Sequence, residues 1–175
     1  MAGKVAAMPD QPDWLPPLVL FTDYDGNWDR YVEALYDFFK QDWVDSKPTF
    51  RGTAFRLKRY PIEQGKESTF WHFISEGKIE EDRLPDFRRC ERVRWPRPIV
   101  EHADDDQETI KVWENTRKGK TRILLWFEAQ EYLVILEQRK GYLLPWTAYP
   151  VTRGHTKQKL QKEYEDYKKT NAATD

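Results

Sequence analysis

Four apolar segments decide the fold of this chain: Ile110-Lys111-Val112-Trp113, Arg122-Ile123-Leu124-Leu125-Trp126-Phe127, Tyr132-Leu133-Val134-Ile135-Leu136 and Tyr142-Leu143-Leu144-Pro145-Trp146-Thr147-Ala148-Tyr149. Each segment is rich in β-branched, leucine or aromatic residues and is bounded by a turn signal, which is typical of strands. The connections between them are only a few polar residues long, and such short loops join antiparallel neighbours. The pattern therefore predicts a four-stranded antiparallel meander.

The two central segments, Arg122 to Phe127 and Tyr132 to Leu136, show little alternation of apolar and polar residues. Strands of this kind are covered on both faces of their sheet. One layer is expected from a helix over Thr156–Lys169 with Thr156 as its N-cap, and another from a helix over Trp28–Trp43 capped by Asn27. The predicted fold class is α+β, with N-terminal helices packed on the sheet and a helix at the C-terminal end.

Proline spacing and charge divide the chain into three parts. Residues 1–17 contain four prolines and predict a flexible leader. Residues 18–46 form an acidic helical extension, and residues 47–170 form the α+β domain, which we expect to be one compact unit with the extension. Within that domain we expect a strand over Thr53–Pro61, a short apolar element over Thr69–Ile74, a helix over Pro85–Val93 and another short helix starting near Pro98.

The composition points to a cytoplasmic protein that does not enter a membrane. The longest apolar runs are far shorter than the roughly 20 residues that a spanning helix needs, and no hydrophobic signal segment follows Met1. Cys90 is the single cysteine, so an internal disulfide cannot form, which fits a reducing compartment.

Charge is distributed unevenly although the net charge of the whole chain is only −1. Residues 1–46 carry a net charge of −6, residues 47–98 carry +5, and residues 99–175 are neutral. A basic middle section is compatible with a binding site for a polyanion. The alternative is that Arg88, Arg89, Arg92 and Arg94 only solvate one face of a helix and pair with nearby carboxylates.

Motifs for metals and cofactors are weak. Asp23, Asp25 and Asn27 have the order that opens a calcium loop, but the later ligand positions and the closing glutamate are missing. No phosphate-binding loop, zinc spacing or nucleophile elbow is present in the sequence. We therefore expect neither a metal nor a cofactor.

The remaining polar residues suit attack of an RNA ribose 2′-OH on its adjacent phosphate. This reaction needs a base, an acid and cations around the phosphorane, and histidine can serve in either proton transfer. Thr147 and Tyr149 are two apart on one predicted strand and therefore project from the same face. The candidate acids, bases and hydrogen-bond donors are His72, His102, His155, Thr147 and Tyr149, and the candidate phosphate ligands are Lys66, Arg59 and Arg153.

Structural alternatives exist for each of these residues. His72 lies among Phe70, Trp71, Phe73 and Ile74, where a satisfied core histidine is the more common outcome. Thr147 and Tyr149 could simply fill one face of the sheet, and His155 could be an exposed residue at the start of a helix.

Several short motifs resemble one superfamily of nucleases. They are Lys66-Glu67-Ser68-Thr69-Phe70-Trp71-His72, Arg94-Trp95-Pro96-Arg97-Pro98-Ile99, Glu131-Tyr132-Leu133-Val134-Ile135-Leu136, Trp146-Thr147-Ala148-Tyr149-Pro150-Val151 and Leu160-Gln161-Lys162-Glu163-Tyr164. In this order they look like the phage and polymorphic-toxin nucleases grouped with barnase, EndoU, the tRNase colicins and RelE (the BECR superfamily). The resemblance covers roughly residues 50–168.

This resemblance implies a toxin-type or phage-encoded endoribonuclease that works without a metal on RNA such as tRNA or mRNA. It also implies a possible cognate inhibitor protein and places His72, Thr147 and Tyr149 in the cleft, with Lys66 ahead of His72. Two rival hypotheses remain at this stage. One is a non-catalytic module that binds nucleic acid through basic residues and tryptophans, and the other is an inhibitor-like interaction protein that presents its acidic helix to a basic partner.

Overall fold

The computed structural model describes residues 11–172 and has an α+β fold. Its helices are α1 (Trp28–Trp43), α2 (Ser68–Ile74), α3 (Phe87–Glu91), α4 (Pro96–His102) and α5 (Gly154–Ala172), with short 3-10 turns at Phe21–Tyr24, Glu80–Asp82 and Glu128–Gln130. Its strands are β1 (Thr49–Phe50), β2 (Thr53–Ala54), β3 (Ser75–Glu76), β4 (Leu84–Pro85), β5 (Ile110–Arg117), β6 (Lys120–Phe127), β7 (Tyr132–Arg139) and β8 (Tyr142–Pro150).

The four long strands form the predicted antiparallel meander in the order β5-β6-β7-β8. Lys118 and Gly119 join β5 to β6 with φ angles of 51° and 75°, the left-handed conformation that a tight hairpin turn requires. The ladder between β7 and β8 is regular except for a shift between Ile135 and Leu136. The hairpin turns β5–β6 and β7–β8 consequently lie at the same end of the sheet.

Both faces of the sheet are covered, as the unbroken apolar segments predict. The inner face packs against the N-terminal helices and contributes Ile123, Leu125, Tyr132, Val134 and Leu136 to a large aromatic core. The outer face packs against α5 through a smaller cluster that contains Trp113, Leu124, Trp126, Leu133, Ile135 and Leu160. Because α5 contacts mainly β5, part of the outer face is left without a helix over it.

Helix α1 has the predicted start, end and buried stripe. The Asn27 side chain accepts a hydrogen bond from the Arg30 amide at 3.1 Å, which satisfies one of the free donors of the first turn. Phe39 is fully buried and contacts the rings of Phe70 and Phe73, so α1 and α2 share one layer under the sheet. The acidic extension and the sheet are therefore parts of one core.

The predicted strand over Thr53–Pro61 is wrong beyond Ala54. Phe55 instead makes a single parallel bridge to Leu143, and the Arg56 amide donates to the Leu143 carbonyl at 2.9 Å. The Lys58 backbone then bonds to Thr69 of α2, so this extended segment has no second strand on its other side. This extended segment therefore covers the free edge of β8 at Leu143.

Two helix boundaries also differ from the predicted ones. Helix α5 begins at Gly154, so Thr156 lies inside its first turn and is not the N-cap. Helix α3 is limited to Phe87–Glu91, because Asp86 caps it through the Arg89 amide at 3.0 Å. Among residues 11–172, no helix combines the length and apolar character needed to cross a membrane.

Part of the predicted leader packs on the fold. Residues 1–10 lie outside the described range. From residue 11 onward the chain contacts the core, since Leu15 is buried, Trp14 stacks on His102 with 4.2 Å between ring centroids, and the Trp95 indole donates to the Pro16 carbonyl. Prolines exclude a helix here, but an extended chain can still bury its apolar side chains.

We expect Phe39→Ala to lower the free energy of unfolding by about 3–5 kcal/mol, because it leaves a cavity between α1 and α2. Phe38→Ala serves as the matched control, since Phe38 is only half-buried and has Arg94 over its ring. Urea unfolding of both variants checks the prediction. Equal losses in the two variants would contradict the assignment of Phe39 as the contact between the helices.

Candidate functional site

Thr147 and Tyr149 project from the outer face of β8, as their spacing predicts. They pair with Ile135 and Leu133 of β7, which both belong to the outer cluster. Directly paired residues of antiparallel strands share a face. Since β8 is the last strand of the sheet, both side chains lie next to its free edge.

Arg89 of α3 reaches this edge and contacts both residues. Its Nη1 lies 3.3 Å from Thr147 Oγ1, and its guanidinium carbon lies 5.1 Å from the centre of the Tyr149 ring. The same Nη1 donates to the Ser75 carbonyl at 2.8 Å, which fixes the side chain. Burial lowers the pKa of Arg89, but an arginine remains charged in proteins. A fixed cation therefore faces the hydroxyl and the phenol.

Two clefts meet at Tyr149. The outer cleft, of about 220 Å³, lies between the outer face and α5, and the edge cleft, of about 290 Å³, lies between α3 and the end of β8. Tyr149 and Thr156 line both of them. Polar residues of the outer cleft are Asn115, Arg117, Arg122, Lys159 and Glu163; those of the edge cleft include Glu76, Asp86, Arg88, Arg89 and Arg153.

The Tyr149 phenol is held in its protonated form. Burial raises its pKa, while Arg89, Arg117 and Arg122 act in the opposite direction without reversing the shift. The Glu163 carboxylate, which lines the same cleft, also raises this pKa. At neutral pH the phenol is protonated and can donate a hydrogen bond to a ligand in the outer cleft.

Glu163 is oriented from the opposite wall of the outer cleft. Its Oε1 accepts hydrogen bonds from Trp113 Nε1 at 2.9 Å and from Asn115 Nδ2 at 2.7 Å. One other polar atom of a residue that lines this cleft, Asn115 Oδ1, is buried and has no hydrogen-bond partner among the described residues. Buried polar groups are normally paired, so this atom indicates a place for a polar ligand or water.

The end of the sheet beside the outer cleft is strongly basic. The two hairpin turns and the strand ends next to them carry six cations, which are Arg117, Lys118, Lys120, Arg122, Arg139 and Lys140. They surround one fully buried carboxylate, Glu137, whose Oε1 lies 2.5 Å from Arg139 Nη2 and 3.6 Å from Lys120 Nζ. Arg122 Nε lies 3.7 Å from the other oxygen. The cations outnumber the carboxylate, so this end attracts anions.

His72 lies outside both clefts, contrary to its predicted place in the cleft. It is buried on α2, and its Nε2 bonds to the two carboxylate oxygens of Glu80 at 2.9 and 3.0 Å. Its ring centroid lies 5.6 Å from that of Trp146, whose other neighbours include Arg122. Only the His72 carbonyl approaches Thr147, at 3.5 Å from Oγ1. The imidazole therefore connects α2 to the turn at Glu80–Asp82.

Lys66 is likewise occupied elsewhere. It is buried, its ammonium lies 2.5 Å from Glu33 Oε1 and 3.2 Å from the Gln64 carbonyl, and it stands over the Tyr36 ring. These contacts attach the segment before α2 to α1. The sequence prediction of Lys66 as a phosphate ligand overlooked Glu33, which is 33 residues away along the chain.

The remaining predicted residues divide into two groups. Arg153 and His155 are exposed at the start of α5, and Arg153 lines the edge cleft with Arg89 and Tyr149. Arg59 is exposed and lines neither cleft. His102 stacks on Trp14, and its Nδ1 bonds to the Pro98 carbonyl. The structure thus brings Thr147, Tyr149 and Arg153 together, but not His72, Lys66 or Arg59.

Sequence reasoning missed the cations and the carboxylate of the outer cleft. Asn115, Arg117 and Arg122 follow the two-residue period of their strands, so the pattern could have placed them on one face. Glu163 could not be found in this way, because its position depends on how α5 crosses the sheet. Within residues 11–172, no group of three or more His, Cys, Asp or Glu side chains is arranged to hold a metal ion.

Comparisons of the chain with family models, with characterised proteins and with solved structures gave no match. The two clefts are therefore the features of the molecule that point to a function.

The burial of His72 predicts how the free energy of unfolding changes with pH. Burial lowers the pKa of His72, and the hydrogen bond to Glu80 opposes this without reversing it. The unfolded imidazole, with a pKa near 6.5, takes up its proton before the folded one does, so stability should fall as the pH drops through about 6.5. His72→Gln keeps an N–H donor for Glu80 but does not titrate.

We therefore expect the wild type to lose more stability than His72→Gln between pH 7.5 and pH 5.5, measured by urea unfolding at each pH. Glu80 titrates below this range, since its pKa is lowered by the His72 hydrogen bond and nearby cations despite its partial burial. If the free energies of unfolding of the two proteins change in parallel with pH, His72 is not buried in its neutral form.

Proposed function

We propose that this protein is an endoribonuclease that binds RNA along the basic end of its sheet and cleaves it in the outer cleft by 2′-OH transesterification. The observation that carries the proposal is that the Tyr149 phenol, the Glu163 carboxylate and the cations Arg117, Arg122 and Lys159 line one cleft. An acid, a base and several cations in one cleft are the groups that this reaction needs.

RNA suits this site better than a small phosphate compound. The six cations of the two hairpin turns extend beyond a cleft of about 220 Å³, so they can contact several successive phosphates. RNA also carries its own nucleophile, the 2′-OH, next to each phosphate. A carboxylate that removes its proton is then sufficient to start the reaction.

In the proposed reaction the Glu163 carboxylate takes the proton of the 2′-OH, and the 2′-oxygen attacks the adjacent phosphorus. Arg117, Arg122 and Lys159 stabilise the negative charge of the phosphorane. The bond to the 5′-oxygen then breaks, and the Tyr149 phenol supplies the proton to that oxygen. The products are a 2′,3′-cyclic phosphate on one fragment and a free 5′-hydroxyl on the other.

This proposal keeps the reaction class that the nuclease resemblance implies but changes the residues. His72 is neither the acid nor the base of the proposed reaction, because its Nε2 is bonded to Glu80 and it lines neither cleft. Arg89 packs against the Tyr149 ring and hydrogen-bonds to Thr147, and the exposed Arg153 and His155 contact RNA that enters the edge cleft.

A second candidate is an RNA-binding module that does not cleave. The observation that favours it is that Glu163 Oε1 already accepts two hydrogen bonds, from Trp113 and Asn115, so this oxygen is occupied by the fold before any RNA binds. The two candidates predict the same RNA binding and differ only in cleavage.

RNA binding tests what both candidates share. We expect Arg117→Gln combined with Lys159→Gln to weaken binding of a single-stranded RNA oligonucleotide about tenfold or more at 0.1 M salt, and to reduce the salt dependence of the binding constant. Lys47→Gln with Lys78→Gln removes the same charge at exposed positions outside both clefts and is the control. Equal affinities of the two double variants, measured by fluorescence anisotropy, would exclude the outer cleft as the RNA site.

Cleavage distinguishes the two candidates. We expect Tyr149→Phe to reduce the rate of RNA cleavage by about 10²–10³-fold with little change in RNA affinity, because the ring over Arg89 is kept and only the proton donor is lost. Gel analysis of end-labelled RNA also identifies the cyclic phosphate. His72→Gln should cleave at nearly the wild-type rate. RNA that the wild type binds but leaves intact would support the binding module instead.

A further inference from the structure

A third cleft, of about 200 Å³, lies on a different part of the molecule and shares no lining residue with the two clefts at Tyr149. Its walls are the segment of residues 60–66, the hairpin of β3 and β4 and the N-terminal end of α1. We call it the acidic cleft, because Glu63, Glu80 and Glu81 line it and Arg83 is its one cation.

Exposed apolar residues are concentrated at the rim of the acidic cleft. Of the six large apolar side chains that are exposed in residues 11–172, four lie on the two segments beside this cleft: Tyr60, Ile62, Ile79 and Leu84. Tyr60 and Leu84 are 72% and 70% exposed. Clustered apolar residues of this kind mark a surface for another protein, whereas single ones do not.

The hydrogen bonds of Arg83 go to Ser75, Gly77 and His72, and none goes to a lining carboxylate within residues 11–172. Its guanidinium donates to the carbonyls of Ser75 at 2.5 Å and Gly77 at 2.9 Å, and Arg83 Nη2 also lies 3.4 Å from the His72 carbonyl. Glu80 is bonded to His72, but Glu63 and Glu81 have no ion pair among the described residues. Two carboxylates are therefore free to bind a cation.

Other groups in the acidic cleft also favour a cation with an apolar stem. Trp28 and Trp71 provide aromatic walls, and the Trp71 indole is fixed by its hydrogen bond to the Glu63 carbonyl at 3.1 Å. Ser68 Oγ lines the cleft, is buried and has no hydrogen-bond partner among the described residues. Aromatic faces and carboxylates together bind guanidinium and ammonium groups.

We propose that the acidic cleft binds an arginine or lysine side chain of a partner protein, and that apolar neighbours of that side chain pack on Tyr60, Ile62 and Leu84. Charge complementarity selects this occupant. RNA is excluded here because the carboxylates repel phosphates, so the protein partner and RNA use separate surfaces. The proposal does not depend on ribonuclease activity.

Selection from a random peptide library displayed on phage, with the whole protein as bait, tests this proposal. We expect the selected peptides to carry an arginine or lysine flanked by apolar residues. Synthetic copies should bind the wild type, and Glu63→Gln with Glu81→Gln should weaken binding at least tenfold at 0.1 M salt in fluorescence anisotropy. Leu84→Ser removes an exposed apolar side chain from the rim and should also weaken binding severalfold.

Two controls separate this site from other surfaces. Asp105→Asn with Glu108→Gln removes two exposed carboxylates outside the cleft, and Arg117→Gln with Lys159→Gln alters only the outer cleft, so both should bind the peptides like the wild type. The proposal is overturned if no peptide is selected, if selected peptides lack a basic residue, or if the glutamate double variant binds them unchanged. RNA binding by the same variants is scored separately, so failure here leaves the RNA site untouched.

Discussion

The structure depends on the burial of both faces of β6 and β7. Their apolar residues alternate between two clusters, with Leu125 and Val134 under the N-terminal helices and Leu124 and Leu133 under α5. A sheet with two apolar faces needs a layer on each side. Helix α5 is a single helix and crosses mainly β5, so it cannot cover the whole outer face. The rest of that face also carries polar and charged residues, and this is where the outer cleft forms.

The sequence predicted the secondary-structure elements that have strong local signals. It did not predict features that depend on contacts between distant parts of the chain. The meander and α1 follow from apolar periods, turn glycines and the Asn27 cap, all of which act over a few residues. The segment after Ala54 has a strand-like pattern, but it makes one bridge to the edge of β8 and then bonds to α2. Lys66 looks like a free cation until Glu33 is seen beside it. A pattern shows which face a residue occupies on its own element, but it does not show the partner.

The residues of the candidate site were likewise predicted only in part. Thr147 and Tyr149 could be placed together because two residues on one strand share a face, and Arg153 follows them in the chain. Arg89 belongs to a helix and lies 58 residues before Thr147 in the chain. Glu163 lies on α5, and no local sequence signal predicts the angle at which α5 crosses the sheet. His72 was the most attractive residue by chemistry alone. It is buried, and its Nε2 is bonded to Glu80, so its imidazole lies outside the two clefts.

Glu137 explains how the basic end of the sheet can be fixed before any ligand arrives. A fully buried carboxylate must be paired, so Lys120, Arg122 and Arg139 are drawn towards it, and Arg122 is further held over the Trp146 ring. One carboxylate cannot neutralise three cations, so a net positive charge remains beside the outer cleft. Cations that are already held in place need little reorganisation when an anion binds.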